Sequence, residues 1–366
     1  MKIFVFGSSL TSTYWNGAAT YYRGIYKNLN GLGHEVVFAE PDIYDRQKHR
    51  DLQLVPYANV RVYQTPADLP SLIEEASNYD LVIKHSGVGA DDEWLEENVL
   101  SCQRKGARVV FWDVDAPATL ARVEAQEADP FRALIPRYDL IFTYGGGTFI
   151  VEHYKRLGAR ACIPIYNALD PDVHCVVDID PALRCDLAFV GNRLPDRERR
   201  VEQFFLKAAD MAPEFSFVLG GEGWGGKRLP SNVRWIGHVP SDSHNRVNCS
   251  ARMVLNINRD SMAHVGFSPP TRIFEAAGAG ACLITDSWEG IETFFAPGRE
   301  ILPASSAEEI VQYLRRCDSA KASEIGKAMR LRALRLHTYE LRAAQVQAAL
   351  NAHATETASQ PQQAVA

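Results

Sequence analysis

Residues Gly266–Glu292 read GFSPPTRIFEAAGAGACLITDSWEGIE. Pro269 and Pro270 cannot continue a helix from the preceding side, yet proline suits a position just before or within a first helical turn. Thr271 to Gly278 then reads as a short helix with Glu275 about one turn in. Gly278 and Gly280 end that helix, and Ala281 to Thr285 is a brief apolar run of the kind that forms a buried parallel strand. A helix N-terminus presents unpaired N–H groups and a partial positive charge, which suits a phosphate. A carboxylate one turn further on can accept two hydrogen bonds from a sugar diol. The stretch predicts a seat for a nucleotide diphosphate, made by the helix N-terminus and Glu275.

The whole chain has 366 residues, enough for two domains with a core each. Hydrophobic residues make up 46% and charged ones 23%, a balance that fits a folded globular protein rather than a disordered one. A net charge of -6 argues against nucleic acid as the main partner, because that role needs a basic face. The seven cysteines form no C-x-x-C pair and no His/Cys cluster at zinc spacing, which fits a reducing cytosol. No apolar run approaches the ~20 residues of a membrane span. The opening KIFVFGSS reads as a strand and its exit loop rather than a signal peptide. The expectation is a cytoplasmic protein with no transmembrane segment.

Lys2 to Phe6, then a helix from about Ala18 to Leu32, then a strand from His34 to Ala39, make a crossover unit whose ligands sit at the carboxyl ends of the strands. No G-x-G-x-x-G follows the first strand, so the usual dinucleotide fingerprint is absent. Further apolar runs at Leu81–Lys84, Ala107–Trp112 and Leu140–Thr143 alternate with helical stretches near Ser71–Asn78, Glu93–Lys105 and Thr119–Ala125. This alternation predicts a doubly wound parallel sheet. His85, Asp113 and Asp115 then project from its carboxyl edge as candidate catalytic groups. Asp113-Val114-Asp115 admits two readings: a D-x-D pair holding a divalent cation on a diphosphate, or contacts to sugar or acceptor, or a general base, with no metal.

Asp170-Pro171 breaks regular structure. A second set of strands follows at Cys185–Val190, Phe215–Leu219, Val233–Ile236 and Val254–Asn258. A long helical tract runs from about Ala322 to Leu350, and the residues beyond it are rich in Ala, Gln and Thr.

These segments carry a family resemblance. Arg272–Ala281, Asp286–Gly290 and Phe295–Glu300 are similar to the donor-binding signature of retaining GT-B glycosyltransferases, and more narrowly to that of the CgeB-like (spore-maturation-type) bacterial group. NGAATYYRGIYKNLNGLGHEV, FWDVDAPATLARV, the element Tyr138–Gly147 and the crossover Ile163–Asp170 resemble further elements of that group. The larger retaining families carry two glutamates separated by seven residues. Glu275 stands at the second position, and Phe267 occupies the first.

The resemblance implies an α/β GT-B fold: two Rossmann-like doubly wound domains, an interdomain cleft, and a C-terminal helix crossing back to the first domain. The expected boundaries are residues 1–168 for the acceptor-side domain, 169–330 for the donor domain, 331–352 for the returning helix and 353–366 for a disordered tail. The implied donor site joins Asn16 and Gly17 to Gly191, Asn192, Arg193 and Arg197. To these it adds Gly237, His238 and Val239 for the base, then Arg259, Ser268, Thr271, Arg272 and Glu275. Cations near Gly191 would neutralise the diphosphate leaving group, so no metal or other cofactor is expected.

The implied activity is transfer of a sugar, with retention, from a nucleotide-diphosphate sugar to a glycan, lipid-linked glycan, small molecule or protein. Two other functions use the same kind of site: epimerisation of a nucleotide sugar, and non-catalytic binding of a nucleotide sugar or a partner.

Overall fold

The structure is a computed structural model that describes residues 1–359. The chain divides into two compact units, one built from Met1–Tyr166 together with the chain from Tyr339 onward, the other from Asn167–Thr338.

The first unit holds a seven-stranded parallel sheet. Its strands are β1 (Lys2–Phe6), β2 (Glu35–Pro41), β3 (Asn59–Tyr63), β4 (Leu81–His85), β5 (Arg108–Asp113), β6 (Leu140–Thr143) and β7 (Cys162–Pro164), in the order β3-β2-β1-β4-β5-β6-β7. A parallel sheet is covered on both faces, so its central strands read as unbroken apolar runs. Ile3 to Phe6 and Leu81 to Ile83 are completely buried, and β1 pairs Ile3 with both Val36 and Leu81. β3 is an edge strand with three of its five residues exposed, which is why no apolar run announces it.

The second unit repeats the plan with β8 (Cys185–Val190), β9 (Phe217–Gly220), β10 (Val233–Trp235), β11 (Ala251–Asn256), β12 (Leu283–Asp286) and β13 (Leu302–Ala304). The six strands run parallel in the order β10-β9-β8-β11-β12-β13. In each sheet the strand order reverses once, between β1 and β4 in the first and between β8 and β11 in the second. The crevice at such a reversal is where open α/β sheets bind ligands.

The helical tract expected over Ala322–Leu350 is two helices, Ser319–Leu336 and Tyr339–Ser359. The break has a physical cause. The His337 carbonyl accepts the Leu169 N–H at 2.8 Å, and Thr338 forms a parallel bridge to Leu169, so the backbone is drawn into strand-like pairing. The last helix then packs on the helix Ala19–Gly31 of the first unit. Helical structure continues to Ser359, past the expected start of a tail at residue 353, and residues 360–366 lie outside the described residues.

Gly24 makes that packing possible, because a Cβ there would meet the buried ring of Tyr339 at 2.2 Å. Gly24→Val should therefore cost about 1–3 kcal/mol by overpacking. Gly31→Ala, at a position with no atom within 4 Å of an added Cβ, should be neutral. Equilibrium urea unfolding of both variants checks this, and equal midpoints would show that the terminal helix is not seated on Gly24.

Candidate functional site

In the second unit the site is built from the loops that leave β8 and β9. The Gly191 N–H donates to the Gly220 carbonyl at 2.9 Å, and the Gly221 N–H donates to the Gly237 carbonyl at 2.7 Å. A Cβ on Gly221, whose φ is +120°, would meet the Gly191 carbonyl oxygen at 2.3 Å, so this close backbone approach needs glycine. Asn192 accepts from the Glu222 N–H at 3.0 Å and shapes the same loop. Val239 is buried against Gly220, while His238 is exposed.

The expected cations differ in their surroundings. Arg193 is ion-paired with Glu198 at 2.7 Å and donates to the Gly223 carbonyl, whereas an Arg197 Nη lies 3.1 Å from where a Gly191 Cβ would be. Arg197 is thus the cation directed at the Gly191 turn. Arg259 stands half-buried as the residue before the helix Asp260–Val265.

The helix Thr271–Gly278 begins where the sequence places it. Ser268, just ahead of it, is 2% exposed, and its hydroxyl finds no hydrogen-bond partner among the described residues. Thr271 is half-exposed at the first helical position. Arg272 is half-buried, with its guanidinium 5.9 Å from the Phe189 ring centre and one Nη unpartnered. Burial lowers its affinity for a proton, an effect partly offset by Glu275.

Glu275 lines a pocket with Arg272, His244 and Asn248, walled by Ala188, Val190, Val254 and Leu255 from β8 and β11. The pocket therefore lies at the strand-order reversal of this sheet. His244 Nδ1 sits 3.3 Å from Glu275 Oε2 and is its one hydrogen-bond partner among the described residues. Burial by itself would raise the Glu275 carboxyl, but His244, then His174 and Arg272, hold it well below the usual carboxylate range. Sequence reasoning passed over His244, His174 and Asn248. His244 stands on a different helix, 31 residues away, and no local motif joins it to Glu275.

In the first unit two of the expected catalytic side chains are interior ones. His85 is 0% exposed, bonded through Nε2 to the Tyr26 hydroxyl at 2.5 Å, with ring centres 4.3 Å from Tyr22 and 5.3 Å from Trp112. Burial lowers its pKa to about 3, so it is a neutral core imidazole and not a group on the open edge. Asp113 is also 0% exposed. It accepts from Ser86 Oγ (2.7 Å), the Asp115 N–H (2.9 Å), Thr119 Oγ1 (3.1 Å) and the Tyr154 hydroxyl (2.5 Å). Its position organises the loop after β5 rather than facing a ligand. Asp115 is half-exposed, and its carbonyl accepts the first N–H groups of the helix Ala116–Ala125.

Asn16 differs from its expected role in the same way. Its amide accepts from Ser8 and donates to the Ser9 and Ser12 carbonyls, all within its own loop. Gly17 beside it is exposed, with open space where a Cβ would be. Among the described residues, no three His, Cys, Asp or Glu side chains gather as a metal-ligand set, and no helix is long and apolar enough to cross a membrane.

Two parallel Rossmann-like sheets in succession, the second with closely packed glycine-bearing loops and a buried carboxylate, are the GT-B architecture. Residues 197–348 match the family described as "Glycosyl transferase-like". Anabaena HepE, solved in complex with UDP and glucose, superposes with a TM-score of 0.69 at 13% identity, over 96% of this chain and 100% of that one. Sucrose-phosphate synthase from Thermosynechococcus elongatus gives 0.66 at 16% identity, over 96% and 98%. T4 phage BGT, solved in complex with its UDP-glucose substrate, gives 0.56 at 12% identity, over 96% and 99%. No curated protein matches the chain in sequence. Fold and matched domain together make the chain a transferase of the glycosyltransferase class.

Two outcomes follow from this geometry. Asp113→Asn should lose about 1–3 kcal/mol, because one of the four donors around the carboxylate then faces an amide N–H. Urea unfolding measures this, and an unchanged midpoint with lost turnover would return Asp113 to the chemistry.

The second concerns pH. Because the Glu275 carboxyl is depressed in the folded state, its contribution to stability is present above the unfolded value of about 4.3 and fades as pH falls through the lower folded value. The stability difference between wild type and Glu275→Gln should be full at neutral pH and shrink in acid. A difference that is constant with pH would refute the role of charge.

Proposed function

We propose that the protein is a glycosyltransferase of the CgeB-like group that transfers a sugar, with retention, from a nucleoside-diphosphate sugar. The observation that carries this reading is the pocket at the β8/β11 reversal. There Glu275 has one protein partner and ample remaining acceptor capacity beside an Arg272 guanidinium with one unpartnered nitrogen, and the buried Ser268 hydroxyl just ahead of the same helix is also unpartnered.

Glu275 receives the ribose hydroxyls, and the base lies against the Gly237–Val239 backbone. Ser268, Thr271 and the Arg272 guanidinium hold the diphosphate, with Arg197 on its other side. The bond between the anomeric carbon and the phosphate oxygen breaks as the acceptor oxygen bonds to that carbon. The acceptor proton passes to the departing diphosphate, whose negative charge the two guanidinium groups stabilise. We assign Asp115 the contacts to acceptor or sugar hydroxyls. No divalent metal takes part, and the seven free cysteines suit a reducing cytoplasm. HepE and BGT are each solved with UDP-glucose, which makes a UDP-hexose the first donor to try.

Calorimetric titration with UDP should show binding that weakens about 10- to 150-fold in Glu275→Ala, the loss of a charge-assisted bond of ~1.5–3 kcal/mol. Turnover of UDP-glucose should release UDP and persist in EDTA. Unchanged affinity in a folded Glu275→Ala variant refutes the site. Turnover abolished by EDTA and restored by manganese refutes the metal-free mechanism, and conversion of the donor sugar without UDP release makes the protein an epimerase.

A further inference from the structure

The first unit carries an aromatic cluster that the donor site does not use. Trp15 is 54% exposed and Tyr44 61%, with Tyr14 beside them. Tyr14 stacks on His49 with ring centres 4.0 Å apart and meets Trp15 edge-on at 6.3 Å. Arg46 joins the two loops: its guanidinium lies 5.2 Å from the Tyr44 ring centre, and it donates to the Trp15 carbonyl at 3.3 Å and the Ser8 carbonyl at 3.1 Å. Tyr44 in turn donates through its hydroxyl to the Gly89 carbonyl at 3.3 Å. The rings therefore stand on loops leaving β1 and β2 and touch the loop leaving β4, at the carboxyl edge where the strand order reverses.

These rings are held out at a cost. Trp15 (φ 48°) and Tyr44 (φ 56°) occupy the left-handed region, as do the neighbouring Asp45 and Asp91. For bulky side chains this is strained and persists only where the surroundings enforce it, most often at ligand clamps. The enforcement is visible below. Buried Glu40 accepts the Leu10 and Thr11 N–H groups, Asn16 ties Ser8, Ser9 and Ser12 together, and Arg23 bonds Leu10 and pairs with Asp51 at 2.7 Å. Hydrophobic burial would draw such rings inward, so a scaffold that keeps them exposed is arranged for something outside.

We infer that Trp15, Tyr14 and Tyr44 form a platform for a hexopyranose ring of a glycan acceptor. The inference rests on the transferase reading and specifies its acceptor. A pyranose has an apolar C–H face and a hydroxyl edge, which matches aromatic faces rimmed by polar groups. The rim bears both signs, with Asp45 paired to Lys48, Asp51 paired to Arg23 and Arg46 against the Tyr44 ring, so it offers a sugar edge hydrogen-bonding groups and offers a phosphate backbone no one-signed field.

The test applies the full-length protein to an array of hexopyranose oligosaccharides, then titrates the best binder by tryptophan fluorescence. Melting curves with and without UDP are recorded in parallel. Trp15→Ala should weaken glycan binding about 5- to 10-fold, with Trp15→Phe retaining most of it. Tyr44→Ala should weaken it less, and melting temperature and the UDP-induced shift should stay as in wild type. Failure of the wild type to bind any glycan overturns the inference, as does undiminished binding by both alanine variants. Trp15-dependent capture on sugar-free phosphatidylglycerol vesicles assigns the rings to a membrane surface and also overturns it. Trp15-dependent glycan binding without a UDP shift upholds the platform and refutes only the transferase reading.

Discussion

Backbone N–H groups in the loops that leave a parallel sheet are buried with the strand ends, and each must be given an acceptor. In this chain several of those acceptors are carboxylates. Glu40 takes the N–H groups of Leu10 and Thr11, Asp92 those of Val88 and Gly89, Asp113 that of Asp115, and Asp286 that of Asn258. A buried carboxylate is costly unless it is fully bonded or paired. Each has the compensation it needs: Gln47 and Thr11 for Glu40, Lys84 for Asp92, Tyr154 for Asp113, and Arg200 for Asp286. The carboxyl edges of both sheets are therefore preorganised before any ligand arrives, and the exposed groups on them are held by the buried ones.

Glu275 is the exception. It accepts no backbone N–H and is met by one imidazole, yet His244, His174 and Arg272 keep it ionised against the effect of burial. A carboxylate maintained in that state with lone pairs to spare is poised to accept hydroxyl hydrogens. The contrast with Asp113 separates two uses of the same side chain: one spends every acceptor position on the protein, and the other keeps most of them open.

This contrast explains what could be read in the sequence. The strands of both sheets were legible because buried parallel strands are continuous apolar runs, as at Leu81–Ile83 and Cys185–Val190. β3, β7 and β13 were not, since polar residues or proline interrupt their short runs. Thr271–Gly278 and Glu275 were legible from Pro269-Pro270 and the flanking glycines. The burial of His85 and Asp113 was hidden, because a polar residue ending a strand looks the same in sequence whether it turns outward or inward. What turns them inward is Tyr26 for one and Tyr154 for the other, both remote along the chain. His244 was hidden for the same reason: its contact with Glu275 exists only after β11 places two helices side by side.

The departure at Phe267 has a structural account as well. Phe267 has a φ of 44°, its N–H donates to the Glu289 carbonyl at 2.7 Å, and its ring lies where a Cβ on Gly290 would meet it at 2.3 Å. The position that bears a sugar-binding glutamate in larger families is here occupied by a ring packed on the loop after β12. The strain this costs fixes the course of the next residues, so that Ser268 enters the interior with its hydroxyl unpaired and Thr271 opens the helix. An unpaired buried hydroxyl and an unpaired guanidinium nitrogen in one short segment are each costly in isolation. A doubly charged phosphate oxygen cluster at the helix N-terminus would satisfy both at once.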